Sequence, residues 1–152
     1  MLRPLGPVDG LRPATRIKVV ALRHLLALLR KVKSMIPQTL SGRSILVVED
    51  EPLIALDVAV EFESHGARVM QTHTLKEAEG LIEADGLSAA IVDYGLGDGD
   101  TSALCDRLTE RGIPFVIYSG YSGLEGSCAN GTVVQKPAPP SVLVATVKSL
   151  LK

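Results

Sequence analysis

Ala89-Ala90-Ile91-Val92-Asp93-Tyr94-Gly95-Leu96-Gly97-Asp98-Gly99-Asp100 is the stretch on which the reading of this chain turns. Four small or apolar residues run into one carboxylate, and glycines follow at once. Such a run is too short for a helix and reads as a strand buried on both faces that ends in a tight loop. Asp93 then stands at the carboxyl end of a strand. In open parallel α/β sheets ligands bind at that edge, because the loops there leave a crevice. Asp93 is therefore the first candidate for chemistry.

The 152 residues make one domain with some length to spare. A hydrophobic fraction of 46% with only 3% aromatics implies a core packed mainly by aliphatic side chains, as in buried parallel sheets. Cys105 and Cys128 match no metal or redox spacing and are expected to be a reduced pair in a cytoplasmic protein. The net charge of −1 hides a split: residues 1–40 carry +7 and the remainder −8. Two pieces so different in charge have different surroundings. A basic extension over residues 1–42 and an acidic domain over 43–152 are expected, divided between Pro37 and Gly42.

Residues 1–14 hold Pro4, Gly6, Pro7, Gly10 and Pro13 and are expected to form no regular structure. Over about 15–36, Leu22, Leu25, Leu26, Leu29, Val32 and Ile36 recur at helical spacing with Arg16, Arg23, Arg30 and Lys31 between them. This is a basic amphipathic helix. Arg23 and His24 interrupt its apolar run and no small-residue cleavage site follows, so a signal peptide is not expected. It is too short and too charged to span a bilayer. It could be a docking helix for a partner or dimer mate, a membrane-surface helix, which is the less expected, or an extension upstream of a start at Met35.

Strand and helix signals then alternate. Residues 44–48 form a β-branched strand followed by Glu49-Asp50-Glu51-Pro52, whose acids and proline also suit the start of a helix over 53–64. Residues 68–72 are a second strand, and Thr74 with Glu77 forms a capping box ahead of Leu75, Ala78, Leu81 and Ile82. Residues 89–93 are the third strand, 101–111 a helix, 114–118 the fourth strand and 132–135 the fifth. Between the last two, glycines are too dense for a helix. Ser141 is expected to cap a last helix. Five alternations predict a doubly wound, five-stranded parallel sheet with right-handed crossovers.

The carboxyl ends of strands one, three, four and five bring Glu49, Asp50, Asp93, Ser119 and Lys136 to one edge. Clustered carboxylates repel, and a hard divalent cation, most plausibly Mg²⁺, resolves the conflict. A metal among carboxylates also recruits phosphate oxygens, a lysine pairs with a phosphoryl group, and a serine hydroxyl donates to it. These are the parts needed to place a phosphoryl group on Asp93.

Val48-Glu49-Asp50-Glu51, Asp93 at the end of strand three, Ser119-Gly120 after strand four and Lys136-Pro137 after strand five resemble the receiver domain of two-component response regulators. The resemblance covers about residues 43–152. It implies a flavodoxin-like fold with strand order 2-1-3-4-5, an extra helix preceding it, and a signalling module rather than an enzyme. It implies that Asp93 takes phosphate from a histidine kinase. Asp50, Asp93 and the Gly95 carbonyl would bind Mg²⁺ directly and Glu49 through water, with Ser119 and Lys136 on the phosphoryl oxygens. Lys136-Pro137 is often cis in the family.

Two departures from the family pattern stand out. Val133 occupies the place where many receivers carry a switching aromatic ring, and the stretch from Ser119 to Lys136 is short, so the domain's fourth helix is expected to be reduced or missing. The run 114–121 resembles a subgroup of stand-alone receivers frequent in alphaproteobacteria, with Ile117, Tyr118 and Ser119 where that pattern has Phe, Ala and Thr. No DNA-binding domain of usual size fits beside the receiver. Output then runs through docking on a downstream protein, exchange with a histidine phosphotransfer protein, or draining of phosphate from a shared kinase.

Two rival readings stay open. An aspartyl-phosphate phosphatase would need a second acid two residues after Asp93, where Gly95 stands. A receiver-like scaffold that never takes phosphate would not need the full set of site residues. Tyr121, two residues past Ser119, is placed to overhang the pocket and slow water attack. His65 and His73 are expected at helix ends or on the surface, and Asp98 and Asp100 as caps of the helix over 101–111.

Overall fold

The computed structural model describes residues 13–121 and 123–152, with side chains from residue 17 onward. Two compact units result, Met1–Pro37 and Gln38–Lys152. In the first, α1 spans Pro13–Met35. Residues 1–12 of the segment expected to lack regular structure lie outside the described residues.

The second unit alternates β1 (Ser44–Val48), α2 (Pro52–Ser64), β2 (Arg68–Thr72), α3 (Leu75–Ile82), β3 (Ala89–Asp93), α4 (Ser102–Glu110), β4 (Phe115–Ser119), β5 (Thr132–Gln135) and α5 (Pro140–Leu150). A 3-10 turn over Gly126–Asn130 stands between β4 and β5, where the glycine-rich run carries no α-helix among its described residues. The sheet order is β2-β1-β3-β4-β5, with every pair parallel. This is the predicted flavodoxin-like architecture.

Side-chain parity explains the two layers. Successive strand residues point to opposite faces. Ile45, Val47, Ala89, Ile91, Val116 and Tyr118 meet Val58, Phe62, Leu143 and Val147 of α2 and α5. Leu46, Val48, Ala90, Val92, Phe115 and Ile117 meet Ala78, Ile82, Leu104 and Leu108 of α3 and α4 on the other side. Because both faces of β1, β3 and β4 are covered, their apolar runs are continuous rather than alternating.

The domain takes in the residues just before β1. Leu40 is buried and its N–H donates to the His65 carbonyl at 2.9 Å, and Gln38 Nε2 donates to the Ser64 carbonyl at 2.9 Å. Gly66 is required opposite them: its φ is +91°, and a Cβ there would lie 2.8 Å from Ser41 Oγ.

Four local expectations are corrected. Ser141 does not cap α5; Pro139 is the N-cap with Pro140 next, and the fixed φ of proline presets the entry. The capping box is half formed: Thr74 Oγ1 accepts from Glu77 N, while the Glu77 carboxylate accepts from the Thr72 hydroxyl at 2.6 Å. Asp100 accepts from Ser102 N at 2.9 Å and serves the start of α4, but Asp98 accepts from Leu75 N at 2.8 Å and so caps α3. The cysteines are not reduced: Cys105 on α4 and Cys128 in the 3-10 turn form a disulfide, both fully buried. They lie 23 positions apart in sequence, and no short motif marks two positions that only the fold makes neighbours.

Candidate functional site

Each site residue stands where a strand runs out. At that edge the loops diverge and leave a crevice, into which the side chains at the strand ends can turn. Glu49 and Asp50 follow β1, Asp93 ends β3, Ser119 ends β4 and Lys136 follows β5. Asp93 pairs in register with Tyr118 and Ser119 with Gln135, so neighbouring strands end at nearly the same level. Lys136 N donates to the Ser119 carbonyl at 2.8 Å, extending the ladder by one step and holding the lysine at the rim.

There Glu49, Asp50 and Asp93 bring ligating oxygens within 4.8 Å of one another; Glu49 and Asp93 are buried and Asp50 is exposed. Lys136 Nζ lies 2.9 Å from Glu49 Oε2 and 3.3 Å from Asp93 Oδ2. It also stands 5.0 Å over the centroid of the Tyr118 ring. Asp93 Oδ1 accepts from Gly95 N at 3.0 Å, and Glu49 Oε1 from Glu51 N at 3.2 Å. Ser119 is fully buried, and its hydroxyl oxygen accepts from Tyr121 N at 2.9 Å. A Cβ on Gly95 would lie 3.6 Å from Tyr121 Cε2 and 3.7 Å from Asp93 Oδ1, so the Tyr121 ring flanks the loop beside Asp93. Lys136–Pro137 is cis.

The electrostatics follow from burial. Burial raises the Glu49 carboxyl above the usual range and the Asp93 charge adds to this, against the opposing Lys136 and Glu51 N–H hydrogen bonds. Burial works to lower Lys136, yet its hydrogen bond to Glu49 and the charge of Asp93 outweigh it and raise the ammonium pKa. Two buried carboxylates thus share one lysine, with a third carboxylate nearby. This all-oxygen donor set, short of positive charge, fits a hard divalent cation and would suit no soft metal.

Two contributors escaped the reading of the sequence. Tyr118 supplies the ring under Lys136, and its hydroxyl donates to the Ala138 carbonyl at 3.0 Å, fastening the segment after Lys136. In sequence it is one more aromatic in a buried strand. His73 Nδ1 meets the Glu49 carbonyl oxygen at 2.7 Å and braces the first acid from β2's end. Its position just past a strand was the available signal. His65 pairs with Glu61 at 3.5 Å at the end of α2, away from the rim.

No protein-family model matches the chain, and no curated protein does. Solved structures do. A response regulator receiver domain protein (CheY-like) from Methanospirillum hungatei JF-1 is 27% identical with a TM-score of 0.66, the match covering 73% of this chain and 94% of that one. The receiver domain of the TMAO respiratory system response regulator TorR is 25% identical with a TM-score of 0.63, over 72% and 96% of the two chains. A Burkholderia pseudomallei response regulator, solved with a phosphorylated aspartic acid, a calcium ion and citrate, is 24% identical with a TM-score of 0.62, over 72% of this chain and 70% of that one. Sheet order, the acids at the rim and these neighbours agree: the domain Gln38–Lys152 is similar to response regulator receiver (CheY-like) domains.

Proposed function

We propose that this receiver accepts a phosphoryl group on Asp93 from a histidine kinase and signals by docking on other proteins or by draining phosphate from a shared kinase. The observation that carries the reading is Asp93 itself, buried, 3.3 Å from Lys136 Nζ and clustered with Glu49 and Asp50. One Asp93 carboxylate oxygen attacks the phosphorus of a phosphohistidine. The P–N bond breaks, an acyl phosphate forms, and the imidazole leaves as the neutral base after taking a proton.

Lys136 and the Ser119 hydroxyl meet the oxygens of the incoming group, replacing part of its water shell with a fixed charge and a fixed dipole. The Gly95 N–H holds Asp93 Oδ1 at 3.0 Å, which orients the other oxygen for attack. Asp50, Asp93 and the Gly95 carbonyl would hold Mg²⁺ directly and Glu49 through water. When bound, the ion neutralises charge on both carboxylate and phosphate.

An apolar cleft along α2, lined by Leu53, Leu56 and Val60, begins just past the acids and offers a helical partner an approach to the rim. The chain is read as cytoplasmic because ATP-fed kinases work there, and the Cys105–Cys128 disulfide is then an exception to the reduced state usual in that compartment. It is not read as an enzyme with an external substrate, because Gly95 stands where a phosphatase needs its second acid.

Incubation with Mg²⁺ and acetyl phosphate, followed by intact mass, tests this. One added phosphoryl group is expected, abolished in Asp93→Asn and by chelation. An unmodified chain would favour a phosphorylation-independent scaffold, and turnover of phosphoesters in solution a phosphatase.

A further inference from the structure

The receiver reading leaves α1 without a task. Residues 13–37 contain no acid, while Lys18, Arg23, Arg30, Lys31 and Lys33 all lie within the helix. At 100° per residue, Leu22, Leu25, Leu28, Leu29, Val32 and Met35 fall on one side and span about 140° of the circumference. Arg23 and Arg30, seven residues apart, stack on the other side, with Lys31 beside them. Among the described residues the helix is the one element of its unit, and a lone helix cannot bury its own apolar side. Leu25, Leu28, Leu29 and Val32 are each more than half exposed.

The pattern discriminates between occupants. A coiled coil with a second copy would use Leu22, Leu25, Leu29, Val32 and Ile36 as its seam. Stepping back along the same heptad reaches Lys18 and Thr15, so the seam stops after two heptads, short of the roughly three or four such a coil needs. Ile17, Leu26 and Leu28 also fall outside so narrow a seam. A broad apolar face opposite one whose charges are all positive suits the boundary between lipid headgroups and acyl chains, where Lys18 on the apolar side and Lys33 at its edge can bury their stems and keep their ammonium groups in water. We propose that α1 binds the surface of anionic lipid bilayers, lying in the plane of the membrane with its leucines inserted and its arginines among the headgroups.

The full chain, with intact mass establishing that residues 1–37 are present, is sedimented with vesicles of phosphatidylcholine with and without phosphatidylglycerol. Binding to the anionic vesicles is expected, at least about tenfold tighter than to neutral ones and weakened by salt. Arg23→Gln with Arg30→Gln should lose at least about tenfold in that binding. Leu25→Glu with Leu29→Glu should abolish it. Because these residues belong to a different unit, domain melting should not change. Failure to bind anionic vesicles would overturn the proposal. So would equal binding by the Leu25→Glu/Leu29→Glu variant, or a solution dimer that this variant dissociates in a chain indifferent to lipid.

Discussion

Lys136 Nζ sits 2.9 Å from Glu49 Oε2, across 87 residues of chain. The pair closes the rim between β1 and β5, strands that are not neighbours in the sheet, with β3 and β4 between them. The lysine's shift has a definite consequence for stability. Its folded pKa is raised, so its contribution is fully present below the ordinary lysine value of 10.5 and is lost as pH rises through the folded value. Lys136→Met should cost about 2 kcal/mol at neutral pH by leaving Glu49 and Asp93 without their cation, and the difference should shrink above pH 10.5. Urea titrations of both proteins at the two pH values measure it; equal stability at neutral pH would show that the pair contributes nothing.

Tyr121 flanks Gly95 beside Asp93 while remaining largely exposed. On the proposed phosphorylation of Asp93, the ring would hinder a water approaching the acyl phosphate. Tyr121→Ala should speed dephosphorylation by up to about tenfold, equivalent to about 1.4 kcal/mol of barrier. The decay of phosphorylated chain by intact mass gives the rate, and no acceleration would remove the role.

Gly131 precedes β5 directly against the edge of a buried ring. A Cβ there would lie 2.4 Å from Phe115 Cε2 and 2.7 Å from Cδ2, distances that force the ring or the strand to move. Gly131→Ala should therefore destabilise by about 1–3 kcal/mol with an unchanged denaturant slope. A parent-like midpoint would mean that the ring relocates at no cost.

The disulfide between Cys105 and Cys128 is the only one among the described residues, and it ties the 3-10 turn to α4. Closing a loop of 23 residues restricts the unfolded chain by about 3 kcal/mol. Cys105→Ser with Cys128→Ser should lower stability by that order, and reductant should lower the parent's melting temperature but not the variant's. A parent indifferent to reductant, with two alkylatable thiols, would refute the bridge in solution.

On the surface, Glu83 accepts from Arg107 Nε and from its Nη2 at 2.7 Å, with Arg111 Nη1 at 3.2 Å, joining α3's end to α4. The Arg107 hydrogen bonds foremost hold Glu83 down at about 2 from 4.5. A depressed carboxylate stabilises above its unfolded pKa, and the contribution fades as pH falls through about 2. Glu83→Gln should melt below the parent at neutral pH, modestly because the pair is solvated, and converge with it near pH 2. A gap that persists in acid would assign the effect to packing instead.

Much of this protein was legible before folding. Strands buried on both faces must be continuous apolar runs, and helices must show their turn in the spacing of leucines, so the alternation from Ser44 to Leu150 and the strand ends at Asp93 and Ser119 can be read locally. A parallel sheet puts all strand carboxyl ends on one edge by construction, which is why Glu49, Asp93 and Lys136 could be gathered without coordinates. Contacts between loops obey no such rule. The pairing of Cys105 with Cys128, the reach of Asp98 to α3 rather than α4 and the Tyr118 ring beneath Lys136 depend on how helices and turns pack across the sheet. Periodicity reports which face a residue takes; only tertiary packing brings a particular partner to that face.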